Sequence, residues 1–337
     1  MKNKIEQILF TNADTVLSNV DLSKLKGKSV LVTGASGLLG INIVSCLKKI
    51  KKDLDINLFC WMRNPVDDNF SVIFDDCNLI IGDISDNSMF KTSMKFDCII
   101  HAAGYGQPLK FLENEITTIK LNTLSTFYLF DILEDNGMFL FVSSTEVYNG
   151  LDVINVEETQ IGVSNTSDSR ACYVEGKRTG EAISNCYARK GYNVKIARLG
   201  HTYGPGAKKQ DKRVLNSLIE KGLNEDVISL MDSGEARRVF CYITDAVEML
   251  FNILLHGKDI TYNVSGNEEI SIINLASLIS RKLNKSIFVP PIKNSLSGSP
   301  KLVNVSNHKY LQEFKKQKFI DISEGLDSTI EWQRGLN

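Results

Sequence analysis

The sequence predicts an α/β protein, with a doubly wound, mainly parallel sheet and a smaller C-terminal lobe. Three observations favour this fold class. Apolar runs typical of buried strands alternate with runs at helical spacing as far as about residue 200. A glycine-rich stretch, VTGASGLLG, follows the first strand and opens the next helix. Beyond about Gly204 the alternation loosens, which predicts a second, smaller unit.

Composition argues against several kinds of protein. The chain has 337 residues, 43% hydrophobic and 23% charged, with a formal net charge of -1. Without an excess of basic charge, we expect no nucleic-acid partner. No run of about eighteen apolar residues occurs and the N-terminus lacks a secretory signal, so we expect a cytoplasmic protein with no membrane partner. The seven scattered cysteines and four separated histidines predict neither disulfides nor a metal site.

The elements follow in order along the chain. Residues 1–27 predict a helical N-terminal extension. The strands that follow are KSVLVTG, INLFCWM, CNLIIGD, FDCIIHAAG and MFLFVSS, and the first helix between them is ASGLLGINIVSCLKKI. One long helix is predicted before the last of these strands, over ENEITTIKLNTLSTFYLFDILEDN. These elements account for the main sheet.

A polar loop follows MFLFVSS, and after it come a helix with ACYVEGKRTGE and the strand YNVKIARLG. Next, GPGAKKQDKR predicts a loop and VISLMDSGEARRVFCYIT a pair of strands. Three further helices are predicted over VLNSLIEKGL, TDAVEMLFNILLHG and SIINLASLISRKLN. We expect residues 28–200 mainly in the sheet domain and 201–337 mainly in the lobe over its carboxyl edge, with some segments interleaved.

The glycines of the first turn have the spacing G-x-x-G-x-x-G. Gly34 permits a tight turn, Gly37 lets a pyrophosphate approach the backbone, and Gly40 lets helix and strand pack closely. The helix N-terminus then faces the phosphates. This pattern predicts a Rossmann-like dinucleotide-binding domain, and a glycine-rich turn without a ligand is the alternative. The candidate cofactor-binding residues here are Gly34, Ser36, Gly37, Leu38, Leu39 and Gly40.

Two later strand ends offer contacts for the adenosine. The second strand normally ends in an acid that holds the ribose hydroxyls, but LFCWMRNP has Arg63 at about that position. A guanidinium suits the 2′-phosphate of NADP, so NAD and NADP both stay open; stacking on adenine or solvation is the alternative. Asp83, followed by Ile84 in IIGDIS, either contacts the adenine amine, which we favour, or caps the next turn.

Small residues and one amide extend the predicted cofactor site, to which Tyr173 and Lys177 also belong. Ala102, Ala103 and Gly104 follow the strand FDCIIH, where cofactor and backbone would approach closely. Asn122 lies inside a predicted helix, where its amide would satisfy backbone groups at a kink. Plain packing is the alternative for the small residues and for Asn122.

Tyr173 and Lys177 lie four apart in a predicted helix and so project from one face. A cation beside a phenol lowers the pKa of the phenol, which could then exchange a proton with a sugar hydroxyl during hydride transfer. FVSSTEVY ends a strand with Ser144, Thr145 and Glu146, at the edge where α/β sheets keep their active sites. We expect Ser144 to hydrogen-bond a substrate oxygen beside Tyr173, with a helix N-cap as the alternative.

The order of these motifs resembles the extended short-chain dehydrogenase/reductase family. GASGLLG, GD, HAAG, SSTEVY, YVEGK and RLGHTYGPG carry the resemblance, which runs from about residue 28 to 280. It implies a tightly held nicotinamide dinucleotide and a nucleotide-sugar substrate. It also implies that Tyr173, assisted by Lys177 and Ser144, removes the proton of the C4 hydroxyl while a hydride passes to the cofactor.

Within that family, SRACYVEGKRTGE is similar to UDP-glucuronic acid decarboxylases. The resemblance implies a catalytic role for Glu146, a substrate contact at Thr145, and binding of the diphosphate or sugar by Arg238, with Arg213 as a further candidate. Dehydratase relatives have an aspartate at the position of Thr145, which counts against dehydration. Decarboxylation therefore comes first, then C4 epimerisation or C4 oxidation, then dehydration.

Two positions depart from the family pattern. His201 stands where an asparagine usually precedes T-Y-G-P, and Gly206 stands where an arginine commonly follows the proline. Because these positions lie near the substrate in relatives, the particular sugar stays open, and we expect His201 to line the pocket rather than act as a base. Helices around residues 114–134 and 171–190 resemble those that pair across family dimers, which implies a homodimer. A cofactor-binding regulator without catalysis is the alternative class.

Overall fold

The computed structural model describes residues 2–66, 70–91, 93–209, 211–290 and 302–336. Its strands are β1 (Ser29–Thr33), β2 (Asn57–Met62), β3 (Asn78–Ile81), β4 (Phe96–His101), β5 (Leu133–Ser144), β6 (Asn193–Leu199), β7 (His201–Tyr203), β8 (Val227–Ser229), β9 (Arg237–Tyr242), β10 (Thr261–Val264), β11 (Glu269–Ser271), β12 (Ser286–Phe288) and β13 (Leu302–Val303).

The helices are α1 (Lys2–Leu17), α2 (Leu38–Ile50), α3 (Ser71–Phe74), α4 (Pro108–Glu113), α5 (Glu115–Asn122), α6 (Leu124–Asp131), α7 (Ala171–Arg189), α8 (Val214–Asn224), α9 (Ile243–His256), α10 (Ile272–Leu283), α11 (His308–Phe314) and α12 (Ile322–Leu336). Short 3-10 helices lie at Ser23–Leu25, Asn87–Phe90 and Thr145–Tyr148.

The central sheet has seven strands in the order β10-β6-β5-β4-β1-β2-β3. All of its neighbouring strands are parallel. The chain leaves β1 towards β2 on one side and later returns to β4 on the other, so the strand order reverses between β1 and β4. A doubly wound sheet binds its ligands at the carboxyl ends of the strands beside such a switch point.

Alternate residues of the inner strands face opposite sides of the sheet. Val30 and Val32 of β1 belong to one hydrophobic cluster, which includes side chains of α1, α2 and α9. Leu31, between them, belongs to a second cluster with side chains of α6 and α7. Burial on both faces explains the nearly continuous apolar runs of the sequence. The predicted fold class is confirmed.

The N-terminal helix α1 is part of the main core. Ile5, Leu9, Ala13 and Val16 recur at helical spacing and are buried. They belong to the same cluster as side chains of α2 and α9. The predicted helical extension therefore packs on the sheet domain as one of its outer helices.

The later part of the chain forms two small sheets and one strand of the large one. Strand β9 pairs with β7, β11 and β13, while β8 pairs with β12. The two strands predicted in VISLMDSGEARRVFCYIT are both present as β8 and β9, but they do not pair with each other because they belong to different sheets. β10 returns to pair with β6 in the central sheet. A division at residue 200 stays an interpretation.

The long helix predicted over residues 113–136 is wrong in detail. Glu113 is the last residue of α4, and the range then forms two shorter helices, α5 and α6, with breaks at Asn114 and Thr123. Helix α6 ends at Asp131, and β5 already begins at Leu133. Helix α7 crosses close to the second break, because a Cβ on Gly180 would lie only 2.6 Å from Asn122 O.

Candidate active site

The glycine-rich turn lies between β1 and α2 at the carboxyl edge of the sheet. Gly34 has φ +68°, and a Cβ there would lie 2.8 Å from Ala102 O. A Cβ on Gly40 would overlap Gly34 O. No side chain caps α2 at Gly37, which leaves the helix N-terminus to an anion. This tightly packed turn, which also contains Ser36, Leu38 and Leu39, fits the phosphates of a dinucleotide.

A buried histidine ties this turn to α5. The Thr33 hydroxyl lies 2.8 Å from Nδ1 of His101, and Nε2 of His101 lies 3.2 Å from Leu121 O. Ala103 N–H donates to Thr33 Oγ1 at 3.2 Å. Burial, and then the charge of Lys177, lowers the pKa of His101 to about 3. The neutral ring thus accepts from Thr33 and donates to Leu121.

The remaining predicted cofactor contacts line the two neighbouring strand ends. Ala102, Ala103 and Gly104 follow β4, and a Cβ on Gly104 would lie 3.9 Å from Lys177 Nζ. This distance places the predicted cofactor-binding residues next to α7, the helix with Tyr173 and Lys177. Small residues here leave room for a ligand between the sheet and α7.

Arg63, Asp83 and Ile84 lie where β2 and β3 end. The Arg63 guanidinium donates to the Tyr105 hydroxyl and lies 5.3 Å from the centre of its ring. Asp83 Oδ1 accepts the Ser85 N–H at 2.8 Å, which is the turn-capping alternative. Ile84 is buried. Contacts of these three residues with adenosine stay a prediction.

Asn122 ends α5 at the break before α6. Its Nδ2 donates to Thr118 O at 2.8 Å, whereas its buried Oδ1 has no hydrogen-bond donor among the described residues. Gly176 of α7 lies against it, since a Cβ there would be 3.4 Å from Asn122 Nδ2. The side chain therefore sits at a helix break, as expected, with an oxygen left for a ligand or water.

The predicted catalytic residues meet at the carboxyl end of β5. Ser144 hydrogen-bonds the phenol of Tyr173. The Tyr173 ring stacks on Phe111, with ring centres 4.7 Å apart and planes 12° apart. Lys177 Nζ donates to Val142 O at 2.7 Å and lies 5.9 Å from the centre of the Tyr173 ring. Ser144, Tyr173 and Lys177 thus form one cluster beside the cofactor edge.

The expectation that Lys177 lowers the pKa of Tyr173 is wrong for the protein alone. Burial raises the pKa of Tyr173 to about 12; the Ser144 hydrogen bond opposes this, and the charge of Glu146 adds to it. The Lys177 ammonium is instead directed at Val142 O. Burial lowers the pKa of Lys177 to about 8, against the charge of Glu181. The phenol is therefore neutral in the protein alone.

Thr145 and Glu146 begin the short 3-10 helix after β5, and Thr145 is buried. Ser144 Oγ accepts the Glu146 N–H at 3.2 Å, so Ser144 serves as an N-cap as well. Glu146 Oε1 accepts from Arg170 at 2.8 Å, and the two side chains are 27% and 25% exposed. A half-buried ion pair therefore lies close to the Tyr173 phenol.

Arg213 is held by the protein itself. Its Nε donates to Asp211 Oδ1 at 3.1 Å, and its Nη2 donates to Asp211 Oδ2 at 2.5 Å. It also donates to Thr202 O at 3.2 Å. Such a forked pair occupies most of the donors of an arginine. A substrate contact of Arg213 stays a prediction.

Arg238 and His201 lie on the paired strands β9 and β7. Arg238 is buried and donates to Arg237 O at 2.6 Å. Burial lowers the pKa of Arg238, and the negative charges of Glu146 and Asp232 oppose this. Crowding by the surrounding protein, and then the charges of Arg238, Arg213 and Arg170, lower the pKa of His201 to about 4. His201 is exposed at the cleft surface and neutral at pH 7.

Two side chains of this cleft are absent from the sequence-based prediction. Phe111 of α4 supports the Tyr173 ring, and the Arg170 guanidinium lies 5.4 Å from the centre of the Phe111 ring. Arg170 directly precedes α7, and its carbonyl accepts the N–H of Tyr173 at 3.0 Å. The motif SRACY contains Arg170, but the helical pattern gives no signal that its guanidinium turns back to Glu146.

A buried ion pair anchors α7 beneath the cleft. Arg198 of β6 donates to both oxygens of Glu181, with the closest pair 2.7 Å apart and both side chains 6% exposed. Ser143 Oγ donates to Glu181 Oε1 at 2.5 Å. Arg198 also donates to the Tyr148 hydroxyl at 2.9 Å. This network joins α7 to β5, β6 and the 3-10 helix that begins at Thr145.

Two further properties concern the described ranges of the chain as a whole. None of their helices has the length and apolar character needed to cross a membrane. Within the same ranges, no three side chains of His, Cys, Asp or Glu are grouped so that they could hold a metal ion.

Known proteins are similar to this chain over most of its length. One relative is UDP-glucuronic acid decarboxylase 1 from Xenopus tropicalis, 27% identical over 324 residues, which cover 93% of this chain and 74% of the relative. The solved structure of a UDP-glucuronic acid 4-epimerase from Bacillus cereus, in complex with UDP-glucuronic acid and NAD, superimposes with a TM-score of 0.77. It is 21% identical, and the match covers 92% of this chain and all of that one.

An epimerase from Methanothermobacter thermautotrophicus has the same fold. Its structure gives a TM-score of 0.78 at 20% identity and covers 96% of this chain and 95% of its own. The sequence model of the NAD dependent epimerase/dehydratase family matches residues 30–265, which is most of the chain. The resemblance to extended short-chain dehydrogenases/reductases is thereby confirmed, and the chain belongs to the NAD dependent epimerase/dehydratase family.

Proposed function

We propose that this protein is an NAD-dependent enzyme that oxidises C4 of UDP-glucuronate and then releases carbon dioxide from C6. One observation carries the proposal: the Tyr173 phenol, the Glu146 carboxylate and the guanidinium of Arg170 share one cleft beside a dinucleotide-type turn. The similarity to UDP-glucuronic acid decarboxylases supports the choice of substrate.

The carboxyl edge of the sheet would hold the NAD. The residues assigned to it are Gly34, Ser36, Gly37, Leu38, Leu39, Gly40, Arg63, Asp83, Ile84, Ala102, Ala103, Gly104 and Asn122. The crowding around Gly34 and the buried oxygen of Asn122 support this assignment. When bound, the dinucleotide supplies the acceptor for a hydride from the sugar. Arg63, which follows β2, would also suit the extra phosphate of NADP.

Tyr173 is the general base for the C4 hydroxyl. Because its pKa is about 12 in the protein alone, the phenol must first release its own proton to solvent, which burial opposes, and the phenolate then takes the proton of the C4 hydroxyl. The positive charges of Arg213 and Arg170 lower the pKa of this phenol. Lys177 is fixed by Val142 O one helical turn away, and Ser144 orients the phenol through their hydrogen bond.

Oxidation at C4 makes decarboxylation chemically accessible. A ketone at C4 places the C6 carboxylate in a β-keto acid, so loss of carbon dioxide leaves an enolate that the carbonyl stabilises. Ser144 and the protonated Tyr173 are placed to hydrogen-bond the oxygen on which that charge develops. Glu146 is the carboxylate beside them, and it forms an ion pair with Arg170.

Other outcomes of a C4 ketone are the main alternative. The same first step precedes C4 epimerisation and 4,6-dehydration, and release of the ketone itself would be C4 oxidation. Thr145 stands where dehydratases have an aspartate, which disfavours dehydration. An inactive regulator is disfavoured by the intact Tyr173, Lys177 and Ser144 cluster.

We also infer a homodimer through α5, α6 and α7. The first two helices expose apolar side chains to solvent, among them Ile116 at 72% and Phe127 at 45% exposure. Ile119 and Leu124 are also exposed, so the four lie along one stretch of surface. A second copy would cover them symmetrically. The double variant Ile116→Glu/Phe127→Glu should halve the mass seen by light scattering, whereas a monomeric wild type would refute the inference.

Mass spectrometry of the products tests the proposed reaction. The purified protein is incubated with NAD or NADP and with UDP-glucuronate, or with UDP-, GDP- and dTDP-hexoses in parallel. Loss of carbon dioxide from UDP-glucuronate, with neutral sugars unchanged, is the expected result. An unchanged glucuronate beside an oxidised, epimerised or dehydrated hexose would overturn it. The Tyr173→Phe protein serves as the control for contaminating activity.

A further inference from the structure

Arg170 is held rigidly at the start of the catalytic helix. Its N–H donates to Asp168 Oδ1 at 2.8 Å. Its carbonyl accepts from Tyr173 N at 3.0 Å and from Val174 N at 3.1 Å. The residue therefore forms the first turn that carries Tyr173, and its backbone position is fixed relative to the phenol.

The side chain of Arg170 uses only part of its hydrogen-bonding capacity. One terminal nitrogen donates to Glu146 at 2.8 Å, and the guanidinium rests over the Phe111 ring. Its other N–H groups have no acceptor within the part of the chain that the structure describes. The side chain is 25% exposed, so the guanidinium is partly accessible to a ligand.

Two other arginines near the site differ in this respect. Arg213 is forked on Asp211 and Arg198 is forked on Glu181. Each of those guanidinium groups is already matched by a protein carboxylate in two-pronged geometry. Only one nitrogen of Arg170 donates to a carboxylate, and it does so to a single oxygen of Glu146. Arg170 therefore retains a pair of N–H donors that can bind a second carboxylate.

The positive charge of Arg170 affects the pKa values of two other residues of the cleft. It lowers the pKa of Tyr173 and also that of His201, which lie on different elements. Glu146 has the opposite effect on the phenol of Tyr173. An anionic sugar beside Tyr173 would face repulsion from Glu146 unless a neighbouring cation balanced it. Arg170 is already paired with Glu146, so it is placed to balance this repulsion.

We propose that Arg170 is the residue that selects a sugar carrying a carboxylate over a neutral hexose. Its guanidinium would bridge Glu146 and the substrate carboxylate, and Phe111 would keep it in the plane required. A neutral hydroxymethyl group offers no charge in return, so it would leave these donors poorly paired. This inference rests on the proposed function, because it assumes a uronic acid substrate in this cleft.

Calorimetric titration of the NAD-loaded protein with UDP-glucuronate, UDP-glucose and UDP tests the inference. The wild type should bind UDP-glucuronate at least roughly tenfold more tightly than UDP-glucose, in line with a charged hydrogen bond. Arg170→Gln should abolish that ratio while leaving the affinity for UDP within about twofold. Arg170→Lys keeps the charge without the fork, so it should retain only part of the ratio.

Arg189→Gln, at the far end of α7, is the matched control and should keep the wild-type ratio. Unchanged affinity for UDP shows that a variant is folded. If the wild type prefers UDP-glucuronate and Arg170→Gln prefers it equally, the role of Arg170 is refuted while the proposed function stands. If the wild type itself shows no preference, both the inference and the choice of substrate fail.

Discussion

The cofactor edge of the cleft is built from backbone, whereas the substrate side is built from charged side chains. At the cofactor edge, Gly34 and Gly40 are packed so closely that a Cβ on either would meet backbone atoms. On the substrate side, Glu146 and Arg170 form an ion pair across two elements, and Arg238 comes from a third. One side depends on the absence of side chains and the other on their charges.

Because of this difference, the two sides should tolerate different amino-acid substitutions. A backbone cradle binds phosphates by shape and by helix polarity, so it suits one type of cofactor whatever the substrate. Charged side chains can be exchanged one at a time without altering the sheet, so they can adapt the same C4 chemistry to different sugars. The two sides should therefore respond differently to substitution.

The largest effect is expected from Tyr173→Phe. Removing the hydroxyl takes away the proposed general base, so turnover of UDP-glucuronate should fall about 10²- to 10⁴-fold. NAD affinity should stay within about twofold, because the cofactor edge is untouched. On the same preparation, product formation measures the turnover and NAD titration measures the affinity for NAD. Equal losses of turnover and of NAD affinity would mean that the two sides are not separable.

The next effect concerns the support beneath the substrate side. Glu181→Gln leaves the guanidinium of Arg198 buried without its carboxylate, which should cost about 3–5 kcal/mol of unfolding free energy. Asp327→Asn, in the exposed pair with Lys282, is the matched control and should cost at most about 1 kcal/mol. Urea denaturation compares the two. Equal costs would remove Glu181 and Arg198 as the anchor of α7.

A smaller effect should follow from adding one methyl group at the cofactor edge. In Gly40→Ala the Cβ meets the backbone of Gly34 and Ala35, so we expect a loss of about 1–3 kcal/mol and weaker NAD binding. Gly106→Ala is the control, because nothing lies within 4 Å of a Cβ there. NAD titration of both variants checks this. Normal NAD affinity in Gly40→Ala would show that the turn can open without cost.

The smallest effect is a pH dependence set by His101. Burial lowers the pKa of His101 to about 3, below its ordinary value of 6.5, so the unfolded chain binds a proton first as the pH falls. The stability that the neutral ring provides is complete above pH 6.5 and is lost progressively down to about pH 3. Between pH 7 and pH 5 this amounts to about 2 kcal/mol.

The non-titrating variant His101→Gln separates this contribution from the rest. Glutamine can still accept from Thr33 and donate to Leu121, so the variant should fold. Its urea midpoint should depend less on pH than that of the wild type between pH 7 and pH 5. Parallel pH profiles would mean that His101 is protonated in the folded protein.

The sequence predicts the cofactor edge well because its signals are local. Consecutive apolar residues predict the buried strands, and the spacing of Gly34, Gly37 and Gly40 predicts the turn between β1 and α2. The parallel sheet follows from the alternation of these strands with helices. Neither inference needs knowledge of which distant residues meet.

The substrate side was less accessible to prediction because its properties arise from tertiary contacts. The helix break at Asn122 accompanies the close passage of Gly180 in α7, and the pKa of Tyr173 rises because of burial that no local pattern reports. Arg170 turns back to Glu146 across 24 residues of chain. The pairing of β8 with β12 is likewise a contact between distant segments.

In the proposed reaction, C4 of UDP-glucuronate is oxidised before carbon dioxide leaves. Rapid mixing of the NAD-loaded protein with UDP-glucuronate, followed by the absorbance of reduced nicotinamide and by release of carbon dioxide, tests it most directly. We predict that reduced nicotinamide appears first in the wild type and does not appear in Tyr173→Phe. Release of carbon dioxide without any reduced nicotinamide, or no reaction of the wild type with this substrate, would contradict the account.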